Sequence, residues 1–429
     1  MLFEPDGVGL ESSSVREAAY RDRKDRIDVE QALLFTPSLQ ESVPEGSAAR
    51  WILASAMSWD RSVFGERSQG GSTYDPRRML ALWLLAIYDG LRSSRQIERF
   101  ARSDPQYIYV LAGHCPDHAT ICRFRKKLEA ALPKLLKGTV DKAKELGLVD
   151  MKVAAIDGTR MSGNVDHWRR NLGKVRLEEE EEEGPKGPSD PDARVQRTSK
   201  GFIVGYNAQA IIDTKSGFVI GAHLTGECTD QNQLEVTLHS CLEMAGELPE
   251  TLLADGGYAS SMNATALDEC GVVGYIPARH DSKWTLDEND ELTCPCGSKE
   301  YAKESFTRKQ VRFVRYKCKT CGSTFRVPVT ASLHAWLSMT QRTNSPEGKE
   351  MQKRRRRIER LFSLTKHRYG LPRFTLRGLS GARTQWLLTL LMVNLRYLQG
   401  QNHLLSRFRA AFHEISALDK PFHPQNLAA

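Results

Sequence analysis

The first half of the chain places apolar residues at helical spacing between residues 46 and 147. The clearest case is 76–88, whose apolar positions share one helical face: Met79, Leu80, Trp83, Leu84 and Ile87. Further helices are predicted from Ser93 or Ser94 and from Asp117, with a tight turn at 113–116 between them. Short helices, a turn and a basic last helix are typical of helix-turn-helix units, but also of small bundles that bind no DNA.

From residue 150 the pattern changes to short apolar runs that end in turn residues. Strands are predicted at 153–157, 202–213, 218–224, 252–255 and 272–277, and helices at 234–245, 259–270 and 347–368. The order β-β-β-α-β-α-β, closed by a helix, is that of the ribonuclease H fold, in which the first and fourth strands are neighbours. We predict an α/β, ribonuclease H-like catalytic domain, a mixed sheet flanked by helices, over 150–283 and 330–398.

The remaining segments have weaker patterns. Residues 1–45 are predicted to be a flexible N-terminal segment and 399–429 a C-terminal tail. The segment 173–198 contains a glutamate run at 178–183, and such charge blocks are usually disordered. We therefore predict a mobile acidic loop there and no metal site. A second insertion, 284–329, is small and rich in cysteine.

Positive charge is concentrated in one part of the chain. The net charge is +8, and residues 342–377 contain twelve Lys or Arg and three Glu. A concentrated basic segment is the usual electrostatic footprint of a nucleic-acid binder. The alternative is a solvated charged helix, although like charges crowded on one turn destabilise a helix.

The composition also indicates the compartment. The chain has no run of about 20 apolar residues, so no membrane-spanning helix is expected. The start Met-Leu-Phe-Glu-Pro-Asp lacks the basic and apolar regions of a secretory signal. Nine cysteines without an export signal suggest a reducing, cytoplasmic environment.

Three acidic residues are the leading candidates for chemistry. Asp157 and Asp255 each close a predicted strand, and Glu359 lies in a helix after four arginines, 354–357. Carboxylates are the oxygen ligands that Mg²⁺ prefers, and a pair of such ions keeps positions open for water and phosphate. The neighbouring basic segment points to a phosphodiester as the substrate.

Each aspartate also has a purely structural explanation. An Asp before Gly at a strand end, as at Asp157 and Asp255, is often only a turn residue. Asp230 follows a predicted strand and precedes Gln231 and Asn232, so we predict that it is the N-cap of the next helix and not a ligand.

The helix around Glu359 offers a cationic edge. At about 100° per residue, Arg355, Glu359 and Lys366 fall within roughly 40° of one another. This edge suits a metal ligand flanked by two phosphate contacts. The alternative is a set of surface salt bridges, which are common and weak.

The second insertion resembles a zinc ribbon. Two close cysteine pairs, Cys294 with Cys296 and Cys318 with Cys321, would supply the four thiolates of a closed, structural Zn²⁺ site. A disulfide pair or metal-free packing are the alternatives. The insertion also carries cations that could grip DNA: Arg308, Lys309, Arg312 and Arg315.

Together these stretches resemble the DDE-type transposases of bacterial insertion sequences. The N-terminal resemblance lies in 74–98 and in 116–125, which contains Arg123 and Arg125. The acidic motifs are Ile156-Asp157-Gly158-Thr159, Ala254-Asp255-Gly256-Gly257-Tyr258 and the segment 358–366, which contains Glu359, Arg360 and Lys366. Many relatives carry Tyr-x2-Arg-x3-Glu-x6-Lys in the third motif, and here Gln352 replaces the tyrosine.

The resemblance implies a helical DNA-binding domain at 46–147 and a catalytic triad of Asp157, Asp255 and Glu359 that holds two Mg²⁺ ions, or Mn²⁺ in their place. It implies DNA contacts by six residues: Arg355, Lys366, Gln352, Arg360, Arg123 and Arg125. The implied partners are the terminal inverted repeats and the target, both double-stranded DNA, bound by a homodimer in the bacterial cytoplasm at the nucleoid.

The implied reaction consists of cleavage at the element's end and attack by the freed 3′-hydroxyl on target DNA. Two other functions stay open at this point. A ribonuclease H-like nuclease would only hydrolyse DNA, and a domesticated relative would bind DNA without catalysis. The presence of all three acids argues against the second, and the helical N-terminal domain argues against the first.

Overall fold

In the computed structural model of the chain, the described residues are 38–65, 74–165, 190–199, 201–278 and 284–418, with side chains up to residue 400. The predicted segment 1–45 and the acidic loop lie mostly outside these ranges. Their described parts are more ordered than the sequence predicts, because the Val43 side chain is buried and residues 194–198 form a strand. Of the predicted C-terminal tail, the residues up to Leu418 continue a helix.

The N-terminal region is helical, as predicted. It consists of α1 (Ala48–Met57), α2 (Pro76–Tyr88), α3 (Ser94–Ser103), α4 (Pro105–Val110) and α5 (His118–Glu145), with a 3-10 turn at Arg61–Phe64. The side chains of Asp75, Asp104 and Asp117 cap α2, α4 and α5 by accepting backbone N–H bonds. Every residue from Met79 to Ile87 is buried, so α2 is the central helix of this region.

A mixed sheet follows. Its strands are β1 (Val153–Ser162), β2 (Arg194–Thr198), β3 (Gly201–Asp213), β4 (Val219–Thr225), β5 (Thr251–Leu253) and β6 (Val273–Tyr275). The order is β2-β3-β1-β5-β6, with β4 also paired to β3. Helices α6 (Leu234–Ala245) and α7 (Ser261–Glu269) connect β4 to β5 and β5 to β6. The parallel pairing of β1 with β5 confirms the predicted neighbourhood of the first and fourth predicted strands.

The C-terminal helices are α8 (Leu333–Asn344), α9 (Pro346–Lys353), α10 (Arg357–Ser363) and α11 (Leu379–Leu418). A helical segment is present over the predicted range 347–368, but it is not a regular α-helix throughout. A 3-10 turn at Arg354–Arg356 separates α9 from α10, and a π-helical turn at Leu364–Arg368 follows. The tightening coincides with four consecutive arginines, whose like charges disfavour a regular helix. The ideal 100° spacing therefore does not describe this segment.

The cysteine-rich insertion forms a small unit of its own. It contains a two-stranded ladder, β7 (Thr285–Leu286) with β8 (Leu292–Thr293), and a three-stranded antiparallel sheet, β9 (Tyr301–Arg308), β10 (Val311–Cys318) and β11 (Thr324–Pro328). Trp284, Tyr316 and Val327 pack together with Leu337 of α8. This contact anchors the insertion to the helix that follows it.

The helical region and the sheet share one hydrophobic core. Its largest cluster combines residues of α2, α5, β3, α10 and α11. Trp386 of α11 donates its indole N–H to the Gln209 carbonyl (3.3 Å). The Asn394 amide bonds both Thr139 of α5 (3.1 Å) and Val219 of β4 (2.9 Å). Helix α11 thus ties the N-terminal helices to the sheet.

Candidate active site and cysteine cluster

The first two candidate acids lie on neighbouring segments of the sheet. Strand β1 pairs with β5 in parallel, with Ala155 opposite Leu253. Asp157 and Asp255 each follow two residues later. Asp255 lies beyond the end of β5, whereas Asp157 lies within β1, opposite Ala210 of β3, and not at the strand end that the sequence predicts. Asp157 accepts a hydrogen bond from the Gly158 amide (2.8 Å), and Asp255 accepts one from Gly257 (2.7 Å).

The surroundings of Asp157 disfavour the charged form of its carboxyl group. Burial, reinforced by the charge of Asp255, raises its pKa to about 6 despite the opposing attraction of Arg355. Two carboxylates that repel each other in a partly dry pocket are a favourable donor set for a divalent cation. The donor chemistry therefore fits the predicted Mg²⁺ ions.

Two predicted phosphate-binding cations instead contact strand β1. Arg355 Nη1 lies 2.8 Å from Asp157 Oδ2. Lys366 Nζ donates to Thr159 Oγ1 (2.5 Å) and to the Arg160 carbonyl (3.3 Å). Asp157 and Thr159 share one face of β1, so the third motif meets the strand on the face that bears the first acid.

The third candidate acid, Glu359, forms no compact group of ligand atoms with the two aspartates in the described residues. Glu359 lies in α10, about one helical turn after Arg355 of the preceding 3-10 turn, and its side chain is exposed. Within the described ranges, only the four clustered cysteines form a group of three or more His, Cys, Asp or Glu ligand atoms within 4.8 Å of one another. Glu359 therefore remains a predicted ligand, whereas Asp157 and Asp255 are close enough for their charges to interact.

The other predicted DNA contacts separate into accessible and inaccessible ones. Arg123 and Arg360 are exposed. Gln352 donates its amide to the carbonyls of Ala254 (3.3 Å) and Tyr275 (2.5 Å), which ties α9 to the strand ends. The prediction for Arg125 is wrong: the side chain is 8% exposed and its guanidinium stacks 5.3 Å from the Trp83 ring, so it belongs to the helical core.

Asp230 has a different role from the predicted N-cap. Helix α6 begins after Gln233, and no side chain caps it. Asp230 instead accepts hydrogen bonds from Arg160 (2.9 and 3.0 Å), Asn207 (2.8 Å) and Gln209 (2.8 Å). The sequence did carry a signal for this network, because Asn207 and Gln209 are polar at alternate positions of an otherwise apolar strand.

The four predicted zinc ligands converge. Their sulfur atoms lie within 4.8 Å of one another, with Cys294 to Cys321 at 3.4 Å and Cys296 to Cys318 at 3.6 Å. A tetrahedral Zn²⁺ with bonds of about 2.3 Å needs sulfur separations of roughly 3.8 Å. None of these cysteines is disulfide-bonded, so the disulfide alternative does not apply.

The Cys321 amide donates to Cys318 Sγ at 3.5 Å. This bond lowers the pKa of the Cys318 thiol to about 6. In the same cluster, burial raises the pKa of the Cys294 thiol to about 12, so the fit to zinc rests on the convergence of the four sulfur atoms. The four-cysteine arrangement therefore fits a Zn²⁺ ion.

Among the helices of the described ranges, none combines the length and apolar content that crossing a membrane requires.

Comparison with family models gave two matches. The model described as "Transposase DDE domain" matches residues 149–395, and that described as "Transposase domain (DUF772)" matches 37–127. Comparison with curated proteins found no match. The first match contains the sheet and all three candidate acids and spans more than half of the chain, so this protein belongs to the family of transposases with a DDE domain.

Proposed function

We propose that the chain is a DNA transposase that cuts the ends of an insertion sequence and joins them to target DNA. The observation that carries this proposal is the β1–β5 pairing, which brings the segments that carry Asp157 and Asp255 side by side. The basic side chains of Arg355 and Lys366 reach the same strand. The sheet order, with β1 between β3 and β5, supports a ribonuclease H-like catalytic domain.

The proposed cofactor is a pair of Mg²⁺ ions, or Mn²⁺, held by Asp157, Asp255 and Glu359. When bound, such ions supply Lewis-acid polarisation and activate water or a hydroxyl for in-line attack on phosphorus. The aspartates contribute two carboxylates fixed on adjacent strands. Glu359, on a short helical segment between a 3-10 and a π-helical turn, would complete the site when DNA binds.

The cations beside the acids would position the phosphate. With a divalent cation held by Asp157, the Arg355 guanidinium would no longer be needed as its charge partner and would be free to bind a phosphate oxygen. Lys366 is partly buried, and burial lowers its pKa, so its ammonium gains from a nearby phosphate charge. Both groups would act on the transferred strand next to the reacting bond.

DNA further from the reacting bond would contact the exposed basic surface. Arg123 at the start of α5 and Arg360 on α10 are exposed and carry fixed charge. On the cysteine-rich insertion, Arg308 and Arg315 share the face of the three-stranded sheet that points away from its core, while Arg312 lies on the opposite face. A structural Zn²⁺ bound by the four cysteines would hold that surface in place.

Because both ends of an element must be processed together, we propose a homodimer on DNA, acting at the bacterial nucleoid. Terminal inverted repeats would be the specific sites. The helical region, 46–147, would read them, and the 37–127 match to a transposase domain supports this assignment.

The test is an assay of the purified full chain on labelled duplexes that carry the terminal repeats of its own element. We expect Mg²⁺-dependent cleavage and then strand transfer into a target plasmid. Asp157→Asn should abolish both reactions while DNA affinity stays within about threefold of the wild type. Cleavage without joined products would favour a hydrolytic nuclease. Equal loss of cleavage and DNA binding in this variant would mean that Asp157 is structural.

A further inference from the structure

We infer that Asp230 is a positioning residue for the acid pair. Together with Arg160 it forms a clamp behind strand β1 that holds Asp157 and Asp255 at the separation a divalent cation needs. The inference rests on the proposed function, since it assigns Asp230 a part in the metal site formed by those two aspartates.

The clamp lies on the opposite face of β1 from the Asp157 side chain. Side chains alternate along a strand, so Asp157 and Thr159 share one face while Gly158 and Arg160 share the other. On that second face, Arg160 lies opposite Asn207 and Gly158 opposite Gln209 of β3. The hydrogen bonds to Asp230 from these positions therefore come from behind the catalytic strand.

Glycine at two positions lets this carboxylate approach the backbone. A Cβ atom added at Gly158 would lie 2.6 Å from Asp230 Oδ1 and 2.3 Å from Gln209 Nε2. At Gly257 an added Cβ would lie 3.5 Å from Asp230 Oδ2. One carboxylate thus contacts the chain immediately after Asp157 and again two residues after Asp255.

This contact connects the two segments where the sheet no longer does. The β1–β5 pairing runs from Val153 opposite Thr251 to Ala155 opposite Leu253 and includes neither aspartate. Beyond it, like charges on Asp157 and Asp255 favour separation of the two segments. A partly buried carboxylate that lies against both segments opposes that separation.

The Asp230 carboxylate accepts its hydrogen bonds from side chains of β1 and β3. It takes two bonds from the Arg160 guanidinium and one each from Asn207 and Gln209, both of which are fully buried. Gln209 also accepts a hydrogen bond from the buried Tyr258 hydroxyl, which belongs to the segment after Asp255. Burial alone would raise the pKa of Asp230, but these bonds outweigh it and hold the pKa below its ordinary value. The clamp therefore stays charged.

The experiment measures Mn²⁺ binding to the zinc-loaded full chain by electron paramagnetic resonance of the free ion. It needs no DNA and no turnover. Asp230→Asn replaces one hydrogen-bond acceptor oxygen with an NH₂ donor, which would face the donor groups of the residues around it. We therefore expect the Kd for Mn²⁺ to rise about 10- to 100-fold, as for other groups that orient metal ligands. Arg160→Lys, which keeps the charge and loses the two-pronged contact, should shift the Kd in the same direction by less.

The matched control is Asp213→Asn. Asp213 is also fully buried and hydrogen-bonded, but it lies at the far end of β3. We expect the Kd for Mn²⁺ to stay within twofold of the wild type in this variant. If the Kd of Asp230→Asn also stays within twofold, the inference is overturned. If Asp230→Asn does not fold, Arg160→Lys decides by the same criterion. Unchanged Mn²⁺ binding in Asp157→Asn would instead refute the proposed metal site itself.

Discussion

Replacing Asp157 by asparagine should stabilise the folded chain while it removes the proposed activity. The Asp157 side chain is only 17% exposed. Burial and the charge of Asp255 raise its pKa from 3.8 to about 6, a value that already includes the attraction of Arg355. The ionised group is therefore less stable in the folded chain than in the unfolded one, and asparagine carries no charge to bury.

The size of the effect follows from the pKa. A rise of roughly two pKa units corresponds to about 3 kcal/mol of unfolding free energy. Because the folded pKa lies above the unfolded one, the folded chain binds more protons between about pH 4 and 6. The wild type therefore loses stability as pH rises through that window, and the full penalty applies above pH 6. The advantage of the variant should grow from about 1.6 kcal/mol at pH 5 to about 3 kcal/mol at pH 8.

Urea unfolding measured between pH 5 and 8, without added divalent cations, checks this expectation. Glu359→Gln is the control, because the side chain is exposed and its replacement should change stability by less than about 0.5 kcal/mol. A variant Asp157→Asn that is no more stable than the wild type at pH 8, or whose advantage is independent of pH, would refute the reasoning.

Three further predictions concern other parts of the chain. Purified protein should contain about one zinc ion per chain, and Cys296→Ser should lose it and lower the Tm; a zinc content far below one in cleanly purified wild type would exclude the site. Arg123→Ala should weaken DNA binding measured by fluorescence anisotropy without a change in Tm, whereas Arg125→Ala should lower the Tm by several degrees because it removes the stacking on Trp83; the reverse pattern would contradict the assignment. Lys366→Ala should reduce cleavage at least tenfold at saturating DNA, and an unchanged rate would remove Lys366 from the phosphate site.

The sequence predicted the strands that lead to the two candidate aspartates because their signals are local. Apolar runs before Asp157 and Asp255 mark buried strands, and the element order then places these strands side by side. The end of β1 was not predicted, because this strand continues past Asp157 to Ser162. The cysteine cluster was also predictable, since two close pairs restrict the geometry strongly. These features depend on short spacing and on chain order, both of which can be read directly.

The errors have a common physical origin, because they depend on contacts between distant segments. Arg125 is a cation on a helix with a basic start, and only the packing of Trp83 against it reveals its burial. Asp230 follows a strand and precedes a helix, which is the usual place of an N-cap. Its actual partners, Arg160 and Gln209, come from two other strands.

The role of Gly158, which follows Asp157, becomes visible only in the structure of the sheet. From its position, Gly158 is explained as a turn residue, but it continues strand β1 opposite Gln209. The space that its missing side chain would fill is taken by Asp230 and Gln209. Glycine is therefore needed after Asp157 because the Asp230 and Gln209 side chains approach the backbone there, and not because the chain turns.

The shared metal site is tested most directly by a crystal structure of the chain with its terminal-repeat DNA and Mn²⁺, located by anomalous scattering. We expect two peaks about 3.5–4 Å apart, with oxygen atoms of Asp157, Asp255 and Glu359 within bonding distance. Manganese bound elsewhere, or Glu359 remote from both aspartates in that complex, would contradict the proposed mechanism.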